Sequence, residues 1–297
     1  MAAQKGASTQ RTLKILMLHG FTQNGRLFEI KTKALKKSLE KHFPSAPKQG
    51  YLQQYPGGLE LHYPTAPIRL DIHDIPGFEV DGEKENPEAY GWWRRKGDAE
   101  PFVYAGMEDG LARMAEDLKE HGPFDGVLGF SQGGAAAGML ASLLEPARRE
   151  AFEAAQSKGG MRYPDSLTED SGFIEGAVHP PLKFAISYSG FGAATNPLYQ
   201  AYYEPKITTP MLHFLGSVDT VVSEERSLRL VDACVDGRGK KGGVDRVIYH
   251  PGGHFLPSSG KQFVAALVAF IREAIGEPVE QGNGKREEKA EDMDVPF

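Results

Sequence analysis

Gly129-Phe130-Ser131-Gln132-Gly133 is the stretch on which the fold turns. It fits G-x-S-x-G. Phe124-Asp125-Gly126-Val127-Leu128 runs before it, apolar enough for a buried strand. Gly134 to Leu144 follows, small and then aliphatic, as a helix packed on a sheet requires. The serine therefore falls on a predicted strand-to-helix turn, the context that gives the pentapeptide chemical meaning. Such a turn holds its serine in a strained backbone conformation. The neighbouring chain comes so close that flanking side chains would clash, hence the glycines. The turn aims the hydroxyl out of the sheet. It also leaves the amide of Gln132 at a helix N-terminus, where unpaired N–H groups and the helix dipole favour negative charge. That amide is half of an oxyanion hole.

Outward from this turn the chain alternates strand-like and helix-like runs. Leu13–Leu18 is nearly continuously apolar, the signature of a central parallel strand. It ends in His19-Gly20-Phe21-Thr22-Gln23-Asn24-Gly25. The spacing of Leu27, Ile30, Ala34, Leu35, Leu39 and Phe43 predicts a helix from Leu27 to His42, with Lys31, Lys33, Lys36 and Lys37 as its solvated face. Leu59–Tyr63 alternates and then meets the rigid Pro64-Thr65-Ala66-Pro67. Met107, Leu111, Met114, Ala115 and Leu118 stripe a helix over Tyr104–His121, ended by Gly122-Pro123. Further strands are expected at Phe184–Phe191, Met211–Gly216 and Val244–His250. Helices are expected at Ser223–Val235, capped by Ser223, and at Gly260–Ile275. Strands alternating with helices give an α/β fold with a mostly parallel sheet of about six strands, covered on both faces.

Two stretches break the alternation. Ile68–Phe102 shows no sustained period and is punctuated by Pro76, Gly77, Gly82, Pro87, Gly91, Gly97 and Pro101. A structureless loop of that length is expected to be functional, a lid or a pocket wall, with Trp92 and Trp93 lining the pocket. Glu145–Pro181 is polar and irregular, and reads as a helix continuation followed by an insertion over the site. The expected organisation is a flexible segment 1–12, one folded domain over 13–276 with insertions at 68–102 and 145–181, and a charged tail over 277–297 too poor in apolar residues to fold.

The bulk numbers narrow the function. The 297 residues suit one α/β domain with insertions. A hydrophobic fraction of 40% and a charged fraction of 25% describe an ordinary globular chain. A net charge of −6 gives no electrostatic support to a nucleic-acid partner. The single cysteine, Cys234, excludes an intrachain disulfide. No apolar run reaches membrane-spanning length, and Met1–Arg11 lacks the apolar core of a secretory signal. A cytoplasmic enzyme is expected.

A serine hydroxyl is a poor nucleophile at pH 7 and needs a base, which in turn needs an orienting group. On this scaffold the order is serine, acid, histidine, with the acid and base on loops after later strands. Asp219 lies just past the Met211–Gly216 strand, whereas Asp232 and Asp236 fall on or after a helix. His254, preceded by Gly252-Gly253, lies just past the Val244–His250 strand. His250 is its rival, but it ends a strand and its ring is expected to pack; His213, inside a strand, is expected in the core. The second oxyanion donor is expected from the loop after the first strand, at the Phe21 amide beside that of Gln132. Cys234 reads as a buried small hydrophobe with no histidine placed to activate it. No spacing of His, Cys and Asp resembles a metal site, and no Gly-rich phosphate loop occurs, so no cofactor is expected.

His19-Gly20-Phe21-Thr22-Gln23-Asn24, Pro64-Thr65-Ala66-Pro67, Trp92-Trp93, the Ser131 pentapeptide, Ser189-Gly190-Phe191, Gly216 with Asp219, and Gly252-Gly253-His254 form an ordered set. Together they resemble the fungal serine hydrolase family, from about Leu13 to Ile275. The resemblance implies an α/β-hydrolase fold, a Ser131–His254–Asp219 triad and hydrolysis of an acyl ester or thioester. The family includes carboxylesterases, and also thioesterases that release polyketides from their synthases, so an acyl-carrier protein is a partner in the second case. His19, Trp92, Trp93, Phe191 and Phe255 are the expected pocket residues. The lengths of the two insertions depart from the family pattern, and substrate choice is expected to reside there.

Overall fold

The computed structural model describes residues 10–71, 74, 88–168, 177–193, 195–238 and 245–277. In chain order the elements are β1 Leu13–Leu18, α1 Gly25–His42, β2 Leu59–His62, β3 Ile68–Arg69, β4 Tyr90–Gly91, β5 Arg94–Lys96, β6 Val103–Ala105, α2 Met107–His121, β7 Gly126–Phe130, α3 Gln132–Leu143, α4 Arg148–Gln156, β8 Phe184–Tyr188, β9 Met211–Gly216, α5 Glu224–Asp232, β10 Val247–His250 and α6 Lys261–Ala274.

Six strands form one sheet in the order β10-β9-β8-β7-β1-β2, and every neighbouring pair is parallel. The register sets Met17 beside Leu128 and Phe130 beside Tyr188. β1 alternates its faces: Leu13, Ile15 and Met17 pack with α1 and α6, while Leu16 and Leu18 pack with α2 and α3. Burial of both faces is why these strands read as continuous apolar runs rather than as alternating ones. The fold is that of an α/β hydrolase, as the family resemblance implied, and the parallel sheet covered on both faces is what the alternation of elements implied.

Element ends differ from their sequence expectation where backbone geometry intervenes. The helix expected from Tyr104 begins at Met107, because Gly106 turns at φ 75° and Val103–Ala105 pairs with β5 instead. The strand expected to reach Phe191 stops at Tyr188, since Ser189 has φ 47°. The helix expected to reach Val235 ends at Asp232, because Cys234 pairs with Ile207. Asn24 caps α1 by accepting from the Leu27 amide, starting it at Gly25. Ser223 caps α5 through the Arg226 amide, as expected.

The stretch expected to be structureless from Ile68 carries two antiparallel ribbons, β3–β4 and β5–β6. Strands of two or three residues are too short to leave a period in the sequence. Within the other irregular stretch, α4 and a short 3₁₀ turn at Asp165–Leu167 are formed. Most of the expected flexible N-terminus, most of the expected disordered tail and parts of both insertions lie outside the described residues. Among the described residues, no helix is long and apolar enough to cross a membrane.

Candidate active site

Ser131 sits between β7 and α3 with φ 54° and ψ −116°, a conformation that a non-glycine residue holds only when its surroundings impose it. Its amide donates to Tyr188 O at 2.8 Å. A Cβ on Gly129 would lie 1.9 Å from Gly133 O, and one on Gly133 would lie 2.0 Å from Leu18 O. Only glycines allow β1, β7 and α3 to come this close. The strained turn predicted from the pentapeptide is present.

The loops after β9 and β10 bring two more side chains to the serine. His254 Nε2 lies 2.9 Å from Ser131 Oγ, and its Nδ1 lies 2.8 Å from Asp219 Oδ2. A carboxylate oxygen only accepts, so Nδ1 carries the proton and Nε2 is left to accept from the hydroxyl. Asp219 Oδ1 accepts from the Val221 and Val222 amides at 2.9 and 3.0 Å. Burial by itself raises the Asp219 pKa. The Val222 amide, the His254 ring and the Val221 amide outweigh it and hold the carboxyl below its ordinary value. Ser217 donates through its amide and hydroxyl to His250 O, and Val218 N donates to Gly252 O, so the two loops are stitched together.

The two amides expected as oxyanion donors are those of Gln132 and Phe21. Gln132 opens α3, where the first N–H groups have no intrahelical acceptor. Phe21 lies in the turn after β1, between the Gln23 amide that donates to Gly20 O and the Thr22 amide that donates to Tyr90 O. Among the described residues, neither the Phe21 nor the Gln132 amide donates to a protein group.

Three of the expected pocket residues lie behind the site rather than on an open wall. Trp92 and Trp93 are 0% and 2% exposed. Trp92 Nε1 donates to His19 O at 3.0 Å, and Trp93 stacks on Tyr104 with centroids 5.1 Å apart. An indole ring fills core volume well once its N–H has a partner, and Trp92 is used that way. His19 is fully buried; its Nε2 accepts from the Ala66 amide at 3.0 Å, so Nδ1 donates to Gly20 O at 2.8 Å. Burial lowers its pKa to about 4, against a smaller upward push from the Gly20 carbonyl. Phe191 is buried with the Arg226 guanidinium 4.4 Å over its ring, and Phe255 is exposed beside His254. The Gln132 side chain was not singled out in the sequence: its Oε1 accepts from Trp92 N and its Nε2 donates to Trp93 O, both at 2.8 Å. No local pattern announces a clamp whose ends are some 40 residues apart.

His250 is buried against Phe255 and Phe263, and burial lowers its pKa; it packs, as expected of a strand end. His213 is buried with its pKa lowered to about 3 by desolvation. A histidine does reach the buried Cys234, with His213 Nε2 at 3.8 Å from Sγ. The pair is not an activated thiol, because burial pushes the Cys234 pKa up to about 12 and keeps His213 neutral. Sequence spacing also hid a grouping on the edge strand. His62 from β2 and Asp117 and His121 from α2 each bring a metal-capable atom within 4.8 Å of the others. Asp117 Oδ1 accepts from His62 Nε2 at 2.8 Å and from Arg113 Nη2 at 2.9 Å, while the His121 ring lies against that of His62 with centroids 4.2 Å apart.

Comparison with known proteins bears on the family and the fold. A Schizosaccharomyces pombe protein named dihydrofolate reductase is 31% identical over 253 residues. The match takes in 83% of this chain and 44% of that protein, so the chain spans less than half of that relative's length. The Danio rerio esterase OVCA2 is 31% identical over 270 residues, covering 83% of this chain and 91% of that protein. Among solved structures, esterase PE8 superposes with a TM-score of 0.51 at 20% identity, over 89% of this chain and 94% of that one, a likeness of fold. The family model described as "Serine hydrolase (FSH1)" matches residues 8–266, and the chain belongs to that serine hydrolase family.

Proposed function

We propose that the protein hydrolyses carboxylic esters through an acyl-enzyme on Ser131, with His254 as base and acid and Asp219 as its orienting group. The observation that carries this reading is the continuous hydrogen-bonded chain Asp219 Oδ2···Nδ1 His254 Nε2···Oγ Ser131, at 2.8 and 2.9 Å.

In this scheme Ser131 Oγ attacks the acyl carbonyl as its proton passes to His254 Nε2. The negative charge that develops on the carbonyl oxygen is met by the Phe21 and Gln132 amides, each worth roughly 3 kcal/mol in the transition state. Asp219, kept ionised by its two amides, stabilises the imidazolium while it lasts. His254 returns the proton to the leaving alkoxide. It then takes one from water, whose oxygen attacks the acyl-enzyme, and hands it back to Ser131 as the acid departs. Val218, Val221 and Phe255, exposed by 65%, 62% and 48%, give the acid and base loops an apolar outer face, which supports an uncharged, apolar acyl or alcohol group.

The test is turnover of a chain-length series of p-nitrophenyl esters beside matched acyl thioesters, with Ser131→Ala as control. Turnover of the oxygen esters with an optimum in chain length, absent in the control, is the expected result. Faster turnover of the thioesters at every length would replace the ester reading with a thioesterase. Full activity in Ser131→Ala would remove the serine assignment.

A further inference from the structure

We infer that Tyr90–Trp93 is a splint that fixes the spacing of the two oxyanion amides, and that the Gln132 side chain is the positioning group that couples it to the nucleophile turn. This rests on the hydrolytic reading of the site.

The two donor amides come from segments about 110 residues apart in sequence, and a misplacement near 1 Å is enough to cost about 100-fold in rate. Something must hold them in register. The direct candidates are few. Phe21 belongs to a turn whose next residue, Thr22, has φ 70°, a conformation such a β-branched residue does not choose unaided. Gln132 is the first residue of α3. Tyr90–Trp93 touches both. On the Phe21 side, Thr22 N donates to Tyr90 O and Tyr90 N donates to Gln23 O, both at 3.0 Å, so the strained turn is paired as a one-residue antiparallel bridge. On the other side, the Gln132 amide group spans Trp92 N and Trp93 O at 2.8 Å each, and is itself buried. The Trp92 indole adds a third tie, to His19 O at the end of β1. The splint is backed by α2, which approaches so closely that a Cβ on Gly110 would lie 2.2 Å from Trp92 O.

The three side-chain bonds, Gln132 to Trp92 N and to Trp93 O and Trp92 Nε1 to His19 O, are buried, so water does not replace them and each lost partner leaves an unpaired polar group in the core. The end of the first insertion is therefore a wall of the catalytic frame and not a lid. Gln132 acts twice: its backbone N–H is the donor, and its side chain holds the peptide that aligns the other donor.

The experiment compares Gln132→Met with the native enzyme. The substitution keeps the backbone amide and the side-chain volume, and removes both bonds to the splint. The expected result is a kcat about 100-fold lower with KM changed less than about threefold. A trifluoromethyl ketone inhibitor, whose hemiketal carries the oxyanion, is expected to weaken in step with kcat/KM. A general loss of packing would not single out that ligand. Native kcat in a folded Gln132→Met protein, or a loss confined to KM, overturns the inference. Should that variant fail to fold, Gln132→Ala carries the test. It removes both bonds without adding bulk or charge, so a loss in kcat with the same parallel is expected, and native kcat overturns the inference again. Ser131→Ala is measured alongside. If it is inactive while the Gln132 variants are native, only the splint fails; if it retains full turnover, the hydrolytic reading fails and takes the splint with it.

Discussion

The two sides of the candidate site are held by different means. The oxyanion side is braced from the inside: buried side chains of Gln132, Trp92 and His19 reach into backbone of other segments. The acid–base side is held by loop backbone. The Ser217–Val222 and His250–Phe255 loops bond to each other through their own amides and carbonyls, while Val218, Val221 and Phe255 face solvent. A site can therefore be rigid in two ways. Buried clamps tie its geometry to core packing, so substitution there is expected to cost stability and rate together. Short loops anchored on strand ends confine the cost to the reacting groups and leave the outer surface free to vary.

The largest expected effects test the acid–base side. Ser131→Ala is expected to lower kcat by about 10⁴-fold or more, and Asp219→Asn by about 10⁴-fold, both with an unchanged thermal midpoint, as read by ester kinetics beside calorimetry. A large drop in Tm for Asp219→Asn would erase the distinction drawn above. Next come two glycines chosen to oppose the sides. Gly110→Ala drives a Cβ against Trp92 O at 2.2 Å and is expected to destabilise by about 1–3 kcal/mol in urea unfolding, with kcat falling as well. Gly253→Ala, beside the base itself, meets nothing nearer than Val218 O at 3.5 Å and is expected to be tolerated. Equal losses in the two would show that both sides depend on packing alike.

Acid pH provides a third contrast. His19, His179 and His213 are held neutral by burial, with pKa values near 4, 4 and 3 against an ordinary 6.5. Below pH 6.5 the unfolded chain takes up protons at these positions and the native state does not, until about pH 4. Stability is therefore full above pH 6.5 and falls through this window as the pH drops, by up to about 1.4 kcal/mol per pH unit per group. A thermal midpoint that stays flat from pH 6.5 to 4 would contradict it. On the oxyanion side the consequence is specific, since a protonated His19 no longer accepts from Ala66 N. The smallest effect belongs to the outer face of the acid loop. Val221→Ser is expected to move stability by less than about 0.5 kcal/mol and to raise KM a few-fold for long acyl chains alone.

The nucleophile turn, the six strands of the sheet and the three residues of the Asp219–His254–Ser131 chain were legible in the sequence. Each is declared by a local requirement. Continuous apolar runs mark strands buried on both faces, glycines mark a steric squeeze, and loop position after a strand marks what a parallel sheet gathers at its carboxyl ends. The two tryptophans show the limit. Trp92-Trp93 could be seen but not placed, because nothing local tells an aromatic ring on a pocket wall from one in the core. The short ribbons were missed because they are stabilised by pairing with distant chain rather than by a pattern of their own. The Cys234–His213 approach and the His62–Asp117–His121 cluster escaped for the same reason. Sequence by itself determined the six strands of the sheet, the main helices, their order and the candidate residues Ser131, Asp219 and His254, since propensity, periodicity and steric demand act over a few residues. Tertiary structure alone decided which groups back the oxyanion amides and which histidines stay neutral, since those depend on hydrogen-bond partners and burial supplied from elsewhere in the chain.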